Sequence, residues 1–181
     1  MARIFIGIDL PESIKTSLER LQGGLPRTRF SQMDGLHLTL AFLGDLSTSQ
    51  LDNLLRCCAA GNPAIEPFNL RIQGVGLFGR QRSRSILWAG LATSPGLLQL
   101  HQYILRLVSS ANLKSDRNAL KAHITLARTN LKPDHDRLLI WLQTQADLSL
   151  PPFLVDEYQI FESVLHPEGA RYQIRAGFPL D

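Results

Sequence analysis

The tetrapeptide His-Leu-Thr-Leu at residues 37–40 decides how this sequence is interpreted, because it returns as His-Ile-Thr-Leu at residues 123–126. Successive side chains of an extended strand point to opposite faces. His37 and Thr39 therefore share one face, and the two leucines of that copy share the other. An imidazole and a hydroxyl on a strand with an apolar back are suited to moving protons and donating hydrogen bonds to an anion.

A single His-x-Thr strand is more often an exposed face or a packed core histidine than a catalytic site. The 86 residues that separate His37 from His123, however, also relate the sequences around the two copies. A helix, the His-x-Thr strand, a second helix and two further strands recur in the same order. We therefore expect two similar lobes, each presenting one His-x-Thr pair to a shared cleft: motif 1 (residues 37–40) and motif 2 (residues 123–126).

The repeat also predicts the fold class. The segments related by the offset are helices 12–21 and 98–107, helices 49–60 and 135–146, strands 67–77 and 153–163, and strands 85–91 and 171–177. Strands and helices mix without the regular alternation of a parallel sheet, and hairpins join several strands. The expected fold is α+β, a single bilobal domain over residues 1–181, with two pseudo-symmetric lobes, each an antiparallel sheet with helices on its outer face, around a central cleft.

Composition sets limits on the class of protein. The chain has 181 residues, 44% of them hydrophobic, which is enough to bury a sizeable core. It has no run of 18 apolar residues and no leader-like start, so we expect a soluble, cytoplasmic monomer without membrane contact. The net charge of +3 is compatible with an anionic ligand but too small to diagnose nucleic-acid binding.

Metal and cofactor sites are not expected. Cys57 and Cys58 are adjacent on a helical pattern, a spacing that gives neither a disulfide framework nor a metal pair. The other histidines, which are His101, His135 and His166, do not form a His-x-x-x-His pattern. A glycine-rich phosphate loop is also missing from the sequence, which argues against ATP as an obligatory cofactor.

The paired motifs and their flanks resemble the 2H phosphoesterases and, within them, the RNA 2′,3′-cyclic phosphodiesterases, also called the LigT-like or 2′-5′ RNA ligase family. The similar stretches are FIGIDLP at 5–11, LHLTLAFLG at 36–44, ILWAG at 86–90, HITLAR at 123–128 and FESVLHPEGARY at 161–172. They span nearly the whole chain. One departure is Ala122, where the family usually has proline before the second histidine.

The resemblance implies an activity and roles for the motif residues. The expected reaction is metal-independent hydrolysis of a 2′,3′-cyclic phosphate on RNA to a 2′-phosphate, with the reversible 2′-5′ RNA ligation that is associated with the family. His37 would be the proton donor to the leaving 3′-oxygen and His123 the proton acceptor that activates water. Thr39 and Thr125 would donate hydrogen bonds to the phosphate oxygens. Such a pair of histidines predicts a bell-shaped dependence of rate on pH.

Two residues near the motifs are assigned by strand parity. Arg128 lies an odd number of positions from His123, so it should point away from the cleft unless the strand twists or bulges. It is a candidate substrate contact, with a surface ion pair as the alternative. By the same parity, Phe42 is expected in the core rather than as a platform for a base.

Further substrate-binding candidates lie outside the motifs. Arg80, Arg82 and Arg84 stand in a loop beside glycine and serine, where they could bind phosphates or form a solvated hairpin tip. Trp88 and Tyr172 could stack on a nucleobase or simply pack in a sheet.

Two functional alternatives remain open at this stage. A non-catalytic nucleotide- or RNA-binding module could use the same cleft, because two His-Thr pairs can hold a phosphate without turning it over. Within the enzymes, the substrate could be a small cyclic nucleotide or a 2′-5′ oligonucleotide rather than a cyclic RNA end.

Overall fold

The computed structural model describes residues 1–61, 63–79, 84–115, 120–166 and 169–181. The helices are α1 (Glu12–Glu19), α2 (Thr48–Ala60), α3 (Pro95–Ser110) and α4 (Asp136–Thr144). The strands are β1 (Ala2–Asp9), β2 (Thr28–Phe30), β3 (His37–Leu46), β4 (Phe68–Leu70), β5 (Ile72–Phe78), β6 (Ser85–Leu91), β7 (His123–Thr129), β8 (Phe153–Val155), β9 (Glu157–His166) and β10 (Gly169–Pro179). A short 3₁₀ turn, Met33–Gly35, leads from β2 into β3.

One antiparallel sheet of eight strands runs through the molecule. Its order is β10-β9-β1-β3-β7-β6-β5, and β2 pairs with β7 beside this path. Strands β4 and β8 form a separate antiparallel ribbon. The predicted α+β class with antiparallel sheets is confirmed.

The repeat appears in the structure as two units that exchange their last strands. Strands and helices β1-α1-β3-α2-β4-β5 form the first unit, and β6-α3-β7-α4-β8-β9 form the second. Strand β5 pairs with β6 of the second unit, whereas β9 pairs with β1 of the first. Each half of the sheet therefore contains strands from both units rather than one consecutive half of the chain.

The two motif strands meet at the centre of the sheet. Within the described residues, their ladder consists of one pair, Leu38 opposite Ile124. Further along β7, its partner on this side is β2, which pairs with Ala127 through Thr129. The motif strands thus touch at one point and separate beyond it, which opens a cleft on the face of the sheet opposite these two buried side chains.

Helix ends follow the sequence signals. Ser47 and Gln50 form a reciprocal capping box at the start of α2, and Ser94 caps α3 with a proline in its first turn. Ile14 and Leu18 are the buried positions of α1, as its helical spacing predicts. Cys57 and Cys58 are ordinary residues of α2, and both are free thiols.

Among the described residues, none of the helices is both long and apolar enough to cross a membrane.

Candidate active site

The pairing of Leu38 with Ile124 sets the geometry of the two motifs. Both side chains are fully buried, so the residues flanking them point to the opposite face. Continuing this antiparallel register places His37 beside Thr125 and Thr39 beside His123. All four of these residues line one cavity of about 540 Å³. The pairs are related by a local twofold axis, with each histidine next to the other motif's threonine.

A β-bulge interrupts β3 directly after motif 1. Thr39 pairs with Gly7, whereas Ala41 pairs with Ile6, so Leu40 is the extra residue. Leu40 and Ala41 are consecutive buried residues, which breaks the alternation of the strand.

Strand β7 carries the same bulge after motif 2. Thr125 pairs with Trp88 and Ala127 with Leu87, which leaves Leu126 as the extra residue. Leu126 and Ala127 are again both buried. The local backbone is therefore repeated as closely as the motif itself.

The bulges reverse the parity on which two predictions rested. Phe42 is 54% exposed and lines the cavity, so its prediction as a core residue is wrong. Arg128 is exposed and lines the cavity as well, which is the exception that a bulge allows. Phe42 and Arg128 occupy equivalent positions of the two units, five residues after His37 and His123.

His37 stands among aromatic rings. Its ring centroid lies 4.7 Å from that of Phe5 in a stacked arrangement and 4.7 Å from that of Tyr172 in an edge arrangement. Phe161 contacts both rings, at 4.9 Å from Phe5 and 5.6 Å from His37 between centroids. Within the described residues the buried Nδ1 of His37 has no hydrogen-bond partner of normal geometry.

This environment lowers the pKa of His37 from 6.5 to about 4. The main cause is burial, which penalises the charged imidazolium. The Gly35 backbone and the Asp9 carboxylate oppose the shift, while Coulombic repulsion from His123 and Lys15 adds to it. The ring is therefore neutral at pH 7 in the unliganded protein.

Asp9 belongs to a fixed network beside His37. It is the cross-strand partner of His37, and its carboxylate accepts a 2.7 Å ion pair from Lys15. Its backbone N–H donates to Oε1 of the buried Gln159, whose amide donates to Glu157. The carboxylate closest in register to His37 is thus held in place and partly neutralised.

His123 has a different environment. Its Nδ1 lies 2.6 Å from the backbone oxygen of Lys121, and because that oxygen can only accept, Nδ1 carries the proton. The neutral ring then has its lone pair on Nε2. Phe78 contacts the ring edge-on at 5.0 Å between centroids, and Lys121 lies over the Phe78 ring.

The cavity lining is basic, and two threonine hydroxyls in it are available as hydrogen-bond donors. Arg3, Arg29, Arg128 and Arg171 line it, against one acidic lining residue, Asp34. Over the described residues, the hydroxyls of Thr39 and Thr125 make no hydrogen bond, so both can donate to a ligand. An anion is the ligand that this lining favours.

The remaining predicted residues are divided between the cavity and other places. Tyr172 lines the cavity. Trp88 does not line it and packs on Phe78 at 5.0 Å between centroids. Arg84 is exposed and outside the cavity lining, while Arg80 and Arg82 lie outside the described residues.

Sequence reasoning identified Tyr172 as a candidate but missed Phe5, Phe161 and Arg29. Phe5 alternates with the isoleucines of β1, and that spacing could have placed it on the cavity side once β1 was set beside β3. Phe161 and Arg29 gave no such signal, because each reaches the site through pairing with a strand remote in the sequence.

A metal centre has no support in the ranges 1–61, 63–79, 84–115, 120–166 and 169–181, where no group of three or more His, Cys, Asp or Glu side chains could hold an ion.

Comparisons with known proteins agree with the geometry. A curated RNA 2′,3′-cyclic phosphodiesterase of Thermotoga maritima is 25% identical over 178 residues, covering 95% of this chain and 92% of the relative. A crystal structure from Thermus thermophilus has the same fold, with a TM-score of 0.78 and 22% identity over 98% of this chain and 97% of that one. Escherichia coli LigT complexed with 3′-AMP gives a TM-score of 0.74 and 25% identity over 99% of this chain and 98% of that one.

The family itself is established by a match over most of the chain. The model described as the 2′-5′ RNA ligase superfamily aligns with residues 10–166, which include both motifs and both bulged strands. The chain belongs to the 2′-5′ RNA ligase superfamily.

Proposed function

We propose that the protein hydrolyses 2′,3′-cyclic phosphate ends of RNA to 2′-phosphates without a metal ion. The observation that carries this proposal is the meeting of the two His-x-Thr pairs at Leu38 and Ile124, which places two imidazoles and two free hydroxyls in one basic cavity. Relatives named as RNA 2′,3′-cyclic phosphodiesterases align over nearly the whole chain and support the same activity.

In the proposed reaction, water attacks phosphorus and the bond from phosphorus to the 3′-oxygen breaks. His123 takes the proton from water at Nε2, since its Nδ1 already donates to the Lys121 carbonyl. His37 gives a proton to the departing 3′-oxygen, which leaves a 3′-hydroxyl and a 2′-phosphomonoester. Thr39, Thr125 and Arg128 donate to the non-bridging oxygens as negative charge develops on them.

The low pKa of His37 is compatible with a donor role because the substrate is anionic. An opposite charge within about 4–6 Å favours the protonated imidazole. A cyclic phosphate in the cavity would therefore raise the pKa of His37, and Asp9 acts in the same direction. A ring of low intrinsic basicity then releases its proton readily to the 3′-oxygen.

Phe42 is the surface on which we place the terminal base. It is the exposed aromatic ring of the cavity, and Phe5 supports it at 5.7 Å between centroids. Stacking on an aromatic face is tolerant of base identity, so this contact would bind an RNA end without selecting one base.

The first experiment uses a short RNA with a 2′,3′-cyclic phosphate end, in excess EDTA, with 2′- and 3′-phosphate products resolved. We expect 2′-phosphate formation that is lost in His37→Ala and in His123→Ala. A wild-type protein that binds this RNA without turnover would refute the proposal and favour a non-catalytic RNA-binding module.

A second experiment tests which histidine is the acid. Replacing the 3′-bridging oxygen with sulfur gives a leaving thiolate that needs no proton, because thiols have a pKa near 8.5. We expect this substrate to restore turnover in His37→Ala but not in His123→Ala. Restoration in His123→Ala alone would reverse the two roles.

The proposal includes two expectations from the sequence, a monomeric state and a cytoplasmic location. Size-exclusion chromatography with light scattering and cell fractionation test them.

A further inference from the structure

Arg29 and Arg128 face each other at the edge of the cavity. They are cross-strand partners in the ladder of β2 and β7, so their side chains leave the sheet on the same face. Directly opposed residues have Cβ atoms about 4.5–5.5 Å apart. Both side chains are exposed, and both line the cavity that contains the motifs.

Among the residues that the structure describes, no carboxylate neutralises either arginine. Over the described residues, Arg29 and Arg128 form no ion pair and no hydrogen bond through their side chains. Like charges placed directly opposite each other destabilise a sheet. The arrangement therefore has a cost that bound anions would remove.

The strand that carries Arg29 is fixed rather than loose. Thr28 and Thr129 join their hydroxyls at 2.7 Å, one residue away from the arginine pair. Ser31 donates its backbone N–H to Leu126 and its hydroxyl to the carbonyl of Thr125, both at 2.8 Å. These bonds anchor β2 to the strand that carries motif 2, so the position of Arg29 is set before a ligand arrives.

The single negative charge of a cyclic phosphate neutralises only one of the two guanidinium groups. In the proposed function, the cyclic phosphate lies between the two His-x-Thr pairs and carries a single negative charge. Arg128, on the same strand as His123 and Thr125, is the arginine placed to meet it. Arg29 lies on β2, one strand further from motif 2, and is left to bind a second anion.

We propose that Arg29 is a specificity-determining residue that binds the phosphodiester on the 5′ side of the terminal nucleotide, so that the site prefers oligoribonucleotide ends to cyclic mononucleotides. This inference rests on the proposed function, and it selects an RNA end over the small cyclic nucleotide that the sequence left open. A guanidinium binds such a diester with charge-assisted hydrogen bonds, whatever the base sequence.

The test compares kcat/KM for a short oligoadenylate with a 2′,3′-cyclic end against kcat/KM for 2′,3′-cyclic AMP. We expect the wild type to prefer the oligonucleotide and Arg29→Gln to lower that preference about tenfold or more, since a charge-assisted hydrogen bond is lost. Arg29→Lys should lower it less, because it keeps the charge but not the bidentate geometry. Arg71→Gln removes an equal charge from an exposed position outside the cavity and should leave the preference unchanged.

A neutral methylphosphonate at the penultimate linkage sharpens the test. With the wild type, we expect the methylphosphonate to lower kcat/KM by the same factor as Arg29→Gln lowers it on the ordinary oligonucleotide. With Arg29→Gln, the methylphosphonate should not lower kcat/KM any further. The logarithm of kcat/KM against the logarithm of salt concentration should become less steep by about 0.7 in Arg29→Gln, as expected for one lost phosphate contact on a single strand.

Several results would overturn the inference. If Arg29→Gln lowers kcat/KM equally on both substrates, Arg29 binds the cyclic phosphate itself. If the effects of Arg29→Gln and the methylphosphonate on kcat/KM are additive, the penultimate diester is bound by another residue. A wild type without preference for the oligonucleotide would also refute it while leaving the proposed function intact. A wild type that turns over neither substrate would refute both.

Discussion

The two halves of the site share a backbone and differ in what surrounds it. Motif 1 and motif 2 have the same His-x-Thr spacing, the same register at the sheet centre and the same bulge after the threonine. Around His37 the neighbours are aromatic rings, and the equivalent of Arg128 is Phe42. His123 contacts the Lys121 carbonyl and the edge-on ring of Phe78, and its strand carries Arg128, which faces Arg29 at the edge of the cavity. The duplicated backbone thus gives the cavity an aromatic wall (Phe5, Phe42 and Tyr172) and an ionic wall (Arg29 and Arg128). A substrate that contains both a base and phosphates can contact the two walls at once.

The largest expected effect tests whether the two walls act in one reaction. His37→Ala and His123→Ala should each lower kcat by about 10²–10⁴-fold, the usual contribution of a positioned acid or base. The double variant should lose little more than the worse single one, because the residues act as a unit. His166→Ala, at an exposed position outside the cavity, is the matched control. A near-normal kcat in either single variant would show that the replaced histidine is not a catalytic acid or base.

The second prediction concerns the low pKa of His37. Its pKa is about 4 in the folded protein against about 6.5 when unfolded, so the unfolded chain binds more protons between these values. The free energy of unfolding therefore falls as pH drops through this window. Relative to His37→Gln, wild type should lose about 3 kcal/mol between pH 7 and pH 4.

Urea unfolding of both proteins across this range measures the difference, with His166→Gln as control. A difference between wild type and His37→Gln that does not change with pH would refute the predicted burial effect.

The third prediction separates the aromatic wall from the ionic one. Phe42→Ala should weaken substrate binding by about 1–3 kcal/mol, the value of a base stacked on an aromatic ring. Phe42→Tyr should retain most of that affinity. Arg128→Gln should also weaken binding, but its effect should shrink as salt rises, because salt screens the phosphate contact. KM values of both variants at two salt concentrations test this prediction. An equal salt dependence for Phe42→Ala and Arg128→Gln would contradict the assignment of one residue to the base and the other to the phosphate.

The smallest expected effect concerns the contacts that hold β2, the strand of Arg29, against β7. Thr129 is buried, bonds Thr28 and accepts from the backbone N–H of Leu131. Thr129→Val should lower the free energy of unfolding by about 1–3 kcal/mol, since buried donors lose their partner. Thr144→Val, at an exposed hydroxyl on α4, should cost less. A neutral Thr129→Val would show that β2 is held by its other contacts.

The sequence was sufficient for the motifs but not for their setting. His37, Thr39, His123 and Thr125 stood out because the repeat doubles them. The bulges also had a signal, the Leu-Ala pair that follows each threonine, where alternation would place a cleft residue. Strict alternation of side chains along β3, which ignores this signal, predicts wrongly that Phe42 lies in the core.

Long-range pairing was beyond what periodicity can decide. A repeat of 86 residues is equally consistent with lobes that keep their last strands and with lobes that exchange them. Arg29 reaches the cavity through three residues of β2 paired with a strand about one hundred positions away. Neither fact follows from local pattern, because both depend on which strand edges meet in the folded chain.

The exchange of β5 and β9 has a consequence for the order in which the site is completed. A ribosome makes motif 1 early, yet Phe161 and Tyr172, which stand around His37, belong to β9 and β10 near the end of the chain. A nascent chain that has emerged only through β7 already carries both histidines and Phe5, but it lacks Phe161 and Tyr172. Closing β1 against β9 spans almost the full length of the protein, and we expect such a long-range pairing to form late in folding. The low-dielectric environment of His37 is therefore complete only when the last two strands have joined the sheet.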